Sequence, residues 1–245
     1  MKTKLLIFFL LFTQFKLFCQ EERTDKLLNE VFSKATKTFP SDSASLYQRF
    51  FIWSPTTDIV KKQKQIDRIN SLLTESSIKR YRNVENNLKP LMTKIVAENR
   101  INKKQLSEFM TLYCDYDYFR GEALLTKILT EDENYSLVWK TFDIIIEASK
   151  TDNTYISALV EFDDKLRTNV ELTESIKYDF LLKSIKNNPK GFLDIYLSWE
   201  KGRKVKFINE IIEHTELLST FTNIYENTKD DKYKEASMEI IQSLR

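Results

Sequence analysis

Asp115-Tyr116-Asp117-Tyr118 is the most distinctive short run in the chain. Carboxylates and phenols together suit the binding of cations, sugars or a protein partner. Two carboxylates facing each other can also share acid and base roles. Spacing decides between these uses. On a helix, residues two apart point to different faces, so Asp115 and Asp117 form no acid–base pair there; on a loop they converge. The run reads as a helix end followed by a turn. Two readings follow. In one, Asp115, Tyr116 and Asp117 contact a protein or peptide partner. In the other, Asp115 and Asp117 line a deep cleft of a carboxylate-dependent enzyme acting on glycans in an α/α scaffold.

Lys61-Lys62-Gln63-Lys64 and Lys79-Arg80-Tyr81-Arg82 make the stretch from Thr56 to Arg100 locally basic. Such runs are usually a solvated helix face. As a functional patch, Lys61, Lys62, Arg80 and Arg82 would meet an acidic partner, lipid head groups or a polyanionic glycan. Charge reversal there would then abolish a salt-sensitive interaction.

The other reactive residue types are scarce. His214 is the single histidine, which excludes the two-histidine HExxH zinc site and other His-rich metal sites. It reads as a residue near a helix C-terminus, where the dipole favours a cation. Glu200-Lys201-Gly202-Arg203-Lys204 lacks the second glycine and the Ser/Thr of a phosphate loop, so it reads as a turn with Gly202 as a left-handed helix cap. Glu131-Asp132-Glu133 lacks the alternating ligands and glycine of a calcium loop. No catalytic residue, metal or cofactor is named by the sequence.

These residues must be carried by helices. No Asn-Gly, Asp-Gly or Gly-Gly pair occurs, and apolar residues recur at spacings of three and four. Leu27, Leu28, Val31, Phe32, Ala35 and Phe39 make one face, which ends at Phe39-Pro40. Ser41-Asp42-Ser43 offers caps to a short aromatic helix bearing Leu46, Tyr47, Phe50 and Phe51. Thr56 to Arg100 predicts either one long arm or a hairpin of two helices, with Pro90 starting or kinking a helix. Further helices are predicted over Gln105–Asp115, Gly121–Thr130, Asn134–Ser149, Thr154–Leu166, Thr173–Ile185, Pro189–Trp199, Arg203–His214, Leu217–Tyr225 and Lys232–Leu244. The expected fold is all-α. Short links and similar helix lengths suggest stacked antiparallel helix pairs in a HEAT-like superhelix, with an irregular helical bundle as the alternative.

Phe39-Pro40 followed by Leu46-Tyr47 and Phe50-Phe51, and the pair Asp179-Phe180-Leu181-Leu182 with Asn188-Pro189-Lys190-Gly191-Phe192-Leu193, carry a resemblance. The chain resembles exported bacterial proteins with HEAT-like helical repeats. The resemblance implies a helical fold and export, and supplies no functional residue.

Residues 1–19 agree with export. A basic start at Lys2 and Lys4, an apolar run from Leu5 to Phe12 and a polar sequel from Gln20 match a secretory signal peptide. Cleavage after Cys19 gives a periplasmic or extracellular protein; lipidation of Cys19 is the less fitting alternative, because Lys16 and Phe18 break that pattern. The remaining chain divides into an N-terminal helical region over 20–100 and a helical-repeat region over 101–245 packed with it. No further apolar run reaches membrane length.

The whole chain holds 38 Lys and Arg against 36 Asp and Glu. Removing residues 1–19 takes Lys2, Lys4 and Lys16 and no acid, turning a charge of +2 into −1. A strongly basic nucleic-acid binder is thereby excluded. A hydrophobic content of 42% excludes a wholly disordered chain, and 3 glycines in 245 residues disfavour Rossmann and phosphate-loop folds. The sequence therefore points to a non-enzymatic exported binding or scaffold protein with a protein or peptide partner, an exported immunity or inhibitor protein being one specific form.

Overall fold

The computed structural model describes residues 21–49, 58–129, 132–167, 174–211 and 214–244. The expected export signal at 1–19 with Cys19 lies outside these residues, as do Phe50, Phe51, Trp53, Glu131 and Ile212. The fold is all-α, and no strand occurs among the described residues. No helix among them is long and apolar enough to cross a membrane.

The helices are α1 (21–38), α2 (Ser43–Tyr47), α3 (Ile59–Leu72), α4 (Glu75–Glu98), α5 (Lys103–Gly121), α6 (Asp132–Ser149), α7 (Asn153–Arg167), α8 (Glu174–Asn187), α9 (Pro189–Leu197), α10 (Lys201–Ile211), α11 (Leu217–Asn227) and α12 (Asp231–Ser243). The chain forms two compact units, Met1–Asn86 with Tyr118–Leu129, and Asn87–Asp117 with Thr130–Arg245. The division falls within α4 and α5. Neither unit is a single stretch of sequence.

In the first unit, Leu28, Val31, Ala35 and Phe39 bury the inner face of α1, and Ile66, Ile69 and Leu72 that of α3. Phe39 ends α1 and Pro40 opens a 3-10 turn, as the Phe-Pro pair predicts. Asp58 caps α3 by accepting from the backbone N–H of Val60 at 2.8 Å. From Asp58 to Arg100, the described part of the expected Thr56–Arg100 stretch, the chain forms two helices parted at Leu73-Thr74. Pro90 neither starts nor ends α4 but lies inside it.

The expected helix over Gly121–Thr130 is corrected by the structure. α5 runs on through Asp115-Tyr116-Asp117-Tyr118 to Gly121, and the chain then turns. Helical continuation keeps Tyr116 and Phe119 buried, which the expected break at Asp115 would not. The stop comes instead from a left-handed residue. Ala123 has φ 59°, its N–H donates to the Arg120 carbonyl at 3.0 Å, and Leu124 donates to Phe119 at 2.8 Å. That pair of bonds is the Schellman closure, with alanine where glycine is usual. A left-handed L-residue costs about 1–2 kcal/mol, part of which glycine's extra chain entropy offsets. Ala123→Gly should therefore raise stability by about 0.5–1 kcal/mol, read as a higher urea midpoint at unchanged slope.

In the second unit, α6 packs on α7 and α8, α7 on α8 and α9, and α9 on α12, while α11 and α12 pack on each other. Phe109 and Tyr113 of α5, Phe142 of α6, Phe162 of α7 and Phe180 of α8 form one aromatic cluster. Phe192, Tyr196 and Trp199 form a second with Phe207 of α10. Caps are local. Asn102 and Gln105 exchange backbone-to-side-chain bonds at 3.0 and 2.9 Å, a reciprocal capping box for α5. Asn188 and Pro189 start α9, and Asn188 Oδ1 accepts from Gly191 N–H at 2.9 Å. A Cβ on Gly191 would lie 2.4 Å from the Asn188 side chain and 2.5 Å from Asn153 Oδ1, so a larger residue would have to displace these side chains and the bonds they make. Gly202, by contrast, sits in the first turn of α10 without a positive φ, so it is no left-handed cap.

Candidate functional site

The four cations singled out in the sequence lie in the first unit, and three make contacts within it. Lys62 is only 6% exposed. Its ammonium meets Asp25 at 2.6 Å and Glu21 at 3.5 Å, tying α3 to α1. The hydrogen bond to Asp25 holds it above the ordinary lysine value. Arg82 Nη1 lies 2.5 Å from Glu85, and Nη2 donates to the Thr38 carbonyl at 2.7 Å. The Arg80 guanidinium lies over the Tyr118 ring at 5.2 Å and the Phe119 ring at 5.7 Å. Lys61 projects into solvent.

Asp115, Tyr116 and Asp117 lie in the second unit, inside α5. Tyr116 and Asp117 are buried and Asp115 is half-buried. Helical geometry sets the two carboxylates about 200° apart around the axis. They do not converge.

Asp115 instead borders a groove between α5 and α7 of about 360 Å³. Leu106, Met110 and Cys114, four residues apart on α5, face Ala158 and Phe162 on α7 across it. Lys103, Asp115, Glu161 and Lys165 stand on its rims. Cys114 is half-buried there rather than enclosed in the core. The floor is apolar because α5 and α7 each present an i, i+4 row, and the rims are charged because the flanking positions are polar. Sequence periodicity identifies each row. Their apposition is a tertiary result that only the packing reveals.

One end of this groove is fixed by Asp152. Its carboxylate accepts from Thr154 N–H at 2.8 Å and meets Lys103 Nζ at 2.9 Å. Hydrogen bonding from Thr154, then from Lys103, holds the carboxyl at about 2, below its usual 3.8. A depressed carboxyl contributes stability that is present above its unfolded value and lost as pH falls through the folded one. Asp152→Asn should flatten the decline in stability between pH 4 and 2, followed by thermal melts across that range.

A second groove, of about 610 Å³, lies between the end of α4 and α6. Its floor is Val96, Ile101, Ile144 and Ala148, and its rim carries Arg100, Lys140, Asp143 and Glu147. Asn99, with φ 48°, closes α4 in the left-handed conformation that asparagine tolerates. Both volumes fall in the range of ligand clefts, roughly 300–1,000 Å³. Among the described residues, no group of three or more His, Cys, Asp or Glu side chains is placed to hold a metal ion. His214, beyond the end of α10, lies 3.5 Å from Glu216. Comparison with protein-family models, with curated proteins and with solved structures finds no match to this chain.

Proposed function

We propose that this chain is an exported, non-enzymatic binding or scaffold protein that holds a protein or peptide partner on a helical-repeat surface. The observation that carries the reading is the α5–α7 groove, with its apolar floor between charged rims. That is the pattern of a surface that receives a partner's side chains from above and fixes their register at the edges. Successive helices from α6 to α9 pack on their next and next-but-one neighbours, which supports a stacked-pair arrangement. The signal-like order of residues 1–19 supports export.

Affinity capture from the native periplasm, with mass spectrometry, tests the reading. The intact chain should retain a reproducible protein, and Met110→Glu should lower its yield at least about tenfold by placing a charge on the apolar floor. A thermal melt of the variant confirms that it is folded. A blank capture, or equal yield from the variant, overturns the reading.

A further inference from the structure

We infer that the α4–α6 groove receives a short amphipathic helix of a partner protein, one that carries an acidic residue along the edge of its apolar face. The inference rests on the binding reading above and concerns a different surface. The α6 wall runs from Lys140 to Ala148, about 12 Å at 1.5 Å per residue, or just over two helical turns, and Thr151 extends the groove beyond the helix end.

The backbone chemistry selects a helix over an extended peptide. An added strand needs a row of free backbone groups to pair with. The α6 wall offers none, because its amide groups are used along the helix. Its last carbonyls are taken as well: Asn187 Nδ2 donates to Ile146 O and Asn188 Nδ2 to Ser149 O, both at 2.6 Å. At the facing edge, the Tyr155 hydroxyl donates to the Ile101 carbonyl at 2.9 Å. An extended chain laid on this apolar floor would leave its own N–H and C=O groups unmatched, whereas a helix satisfies them internally.

The rim charges select an acidic edge. Glu147 is matched by Lys150 at 2.6 Å and Asp143 by Lys183 at 3.8 Å. Arg100 lies 3.5 Å from Glu98 and is 80% exposed at its side chain. Lys140 makes no ion pair among the described residues. A carboxylate arriving beside Lys140 finds an unmatched cation, and an arriving ammonium meets like charge.

The test uses two labelled synthetic helical peptides of about 12 residues, or about three turns, each with a Leu/Ala apolar face. One carries Glu at the edge and the other Lys, and fluorescence anisotropy at low salt reads their binding to the full chain. The Glu peptide should bind about tenfold tighter, the scale of one pairwise charge at a partly exposed site. Lys140→Glu should reverse the order. Ala148→Gln, which fills the floor without a charge, should weaken both peptides. Met110→Glu, in the other groove, should change neither. Equal binding of the two peptides, an unchanged order in Lys140→Glu, or loss through Met110→Glu overturns the inference. Each of those results leaves the capture experiment on the α5–α7 groove to stand or fall by itself.

Discussion

Phe142→Ala should lower the unfolding free energy by about 3–5 kcal/mol, the range for truncating a buried phenylalanine. The ring is 2% exposed. It stacks on Phe180 of α8 with centroids 4.7 Å apart and planes 13° apart. Its edges meet Phe109 and Tyr113 of α5 at 5.3 and 5.7 Å, and Phe162 of α7 lies at 5.9 Å. Three neighbouring helices thus converge on one side chain of α6. The hole left by alanine would be walled by rings anchored on α5, α7 and α8, and such walls collapse only in part. Phe142→Leu separates volume from aromatic geometry. Leucine refills most of the space but forfeits the stacked and edge-on pairs, each worth about 0.5–1.5 kcal/mol beyond burial. Its expected loss is about 1–2 kcal/mol, read from urea unfolding. A loss below about 2 kcal/mol for the alanine variant would mean that the cluster repacks, and that packing at Phe142 does not set the arrangement of α5 to α8.

This cluster was within reach of sequence reasoning. Apolar spacing along Asn134–Ser149 and Thr154–Leu166 puts Phe142 and Phe162 inward, and the observed ends of α6 and α7 lie within a turn of the expected ones. Asn188-Pro189 marks its helix start by local chemistry alone, so it too was readable. Lys62 was readable but misleading. Its neighbours Lys61 and Lys64 suggest a solvated face, yet position 62 is in step with Ile66 and Ile69 on the buried side of α3. Burial there is stabilised by Asp25, which belongs to another helix. The turn after α5 was not readable. Ala123, Leu124, Ile128 and Leu129 keep helical spacing, and the residue that bonds the turn lies 83 positions away. The grooves share this limit, since spacing finds each wall but not which walls face each other.

The residue that bonds that turn gives the second large effect. Asp42→Ala should cost about 3 kcal/mol, since hydrogen bonds to charged groups contribute about 1.5–3 kcal/mol and orphaned buried donors add to the loss. Asp42 is 4% exposed. It occupies the N-cap position of α2 but makes no cap bond. Its carboxylate turns inward, accepting from the Tyr81 hydroxyl, from Leu125 N–H at 3.2 Å and from Ser41 Oγ at 3.3 Å. Leu125 is itself left-handed, φ 56°, so its conformation relies on a partner. Tyr81→Phe removes one donor and keeps the ring contacts with Phe39 at 4.6 Å and Phe119 at 5.6 Å; about 1–2 kcal/mol is expected. Burial first, and then Asp42, push the Tyr81 hydroxyl above the ordinary tyrosine range. A raised phenol contributes stability that is complete below its unfolded value near 10 and lost as pH rises toward the folded one. Tyr81→Phe should therefore soften the alkaline loss of stability while leaving part of it, because burial also raises Tyr196. The two substitutions share one bond, so their costs should fall short of additivity by about 1–2 kcal/mol, nearly the whole cost of Tyr81→Phe, in a double-mutant cycle. Full additivity would show that Asp42 holds the turn through Leu125 alone, with Tyr81 contributing only its ring.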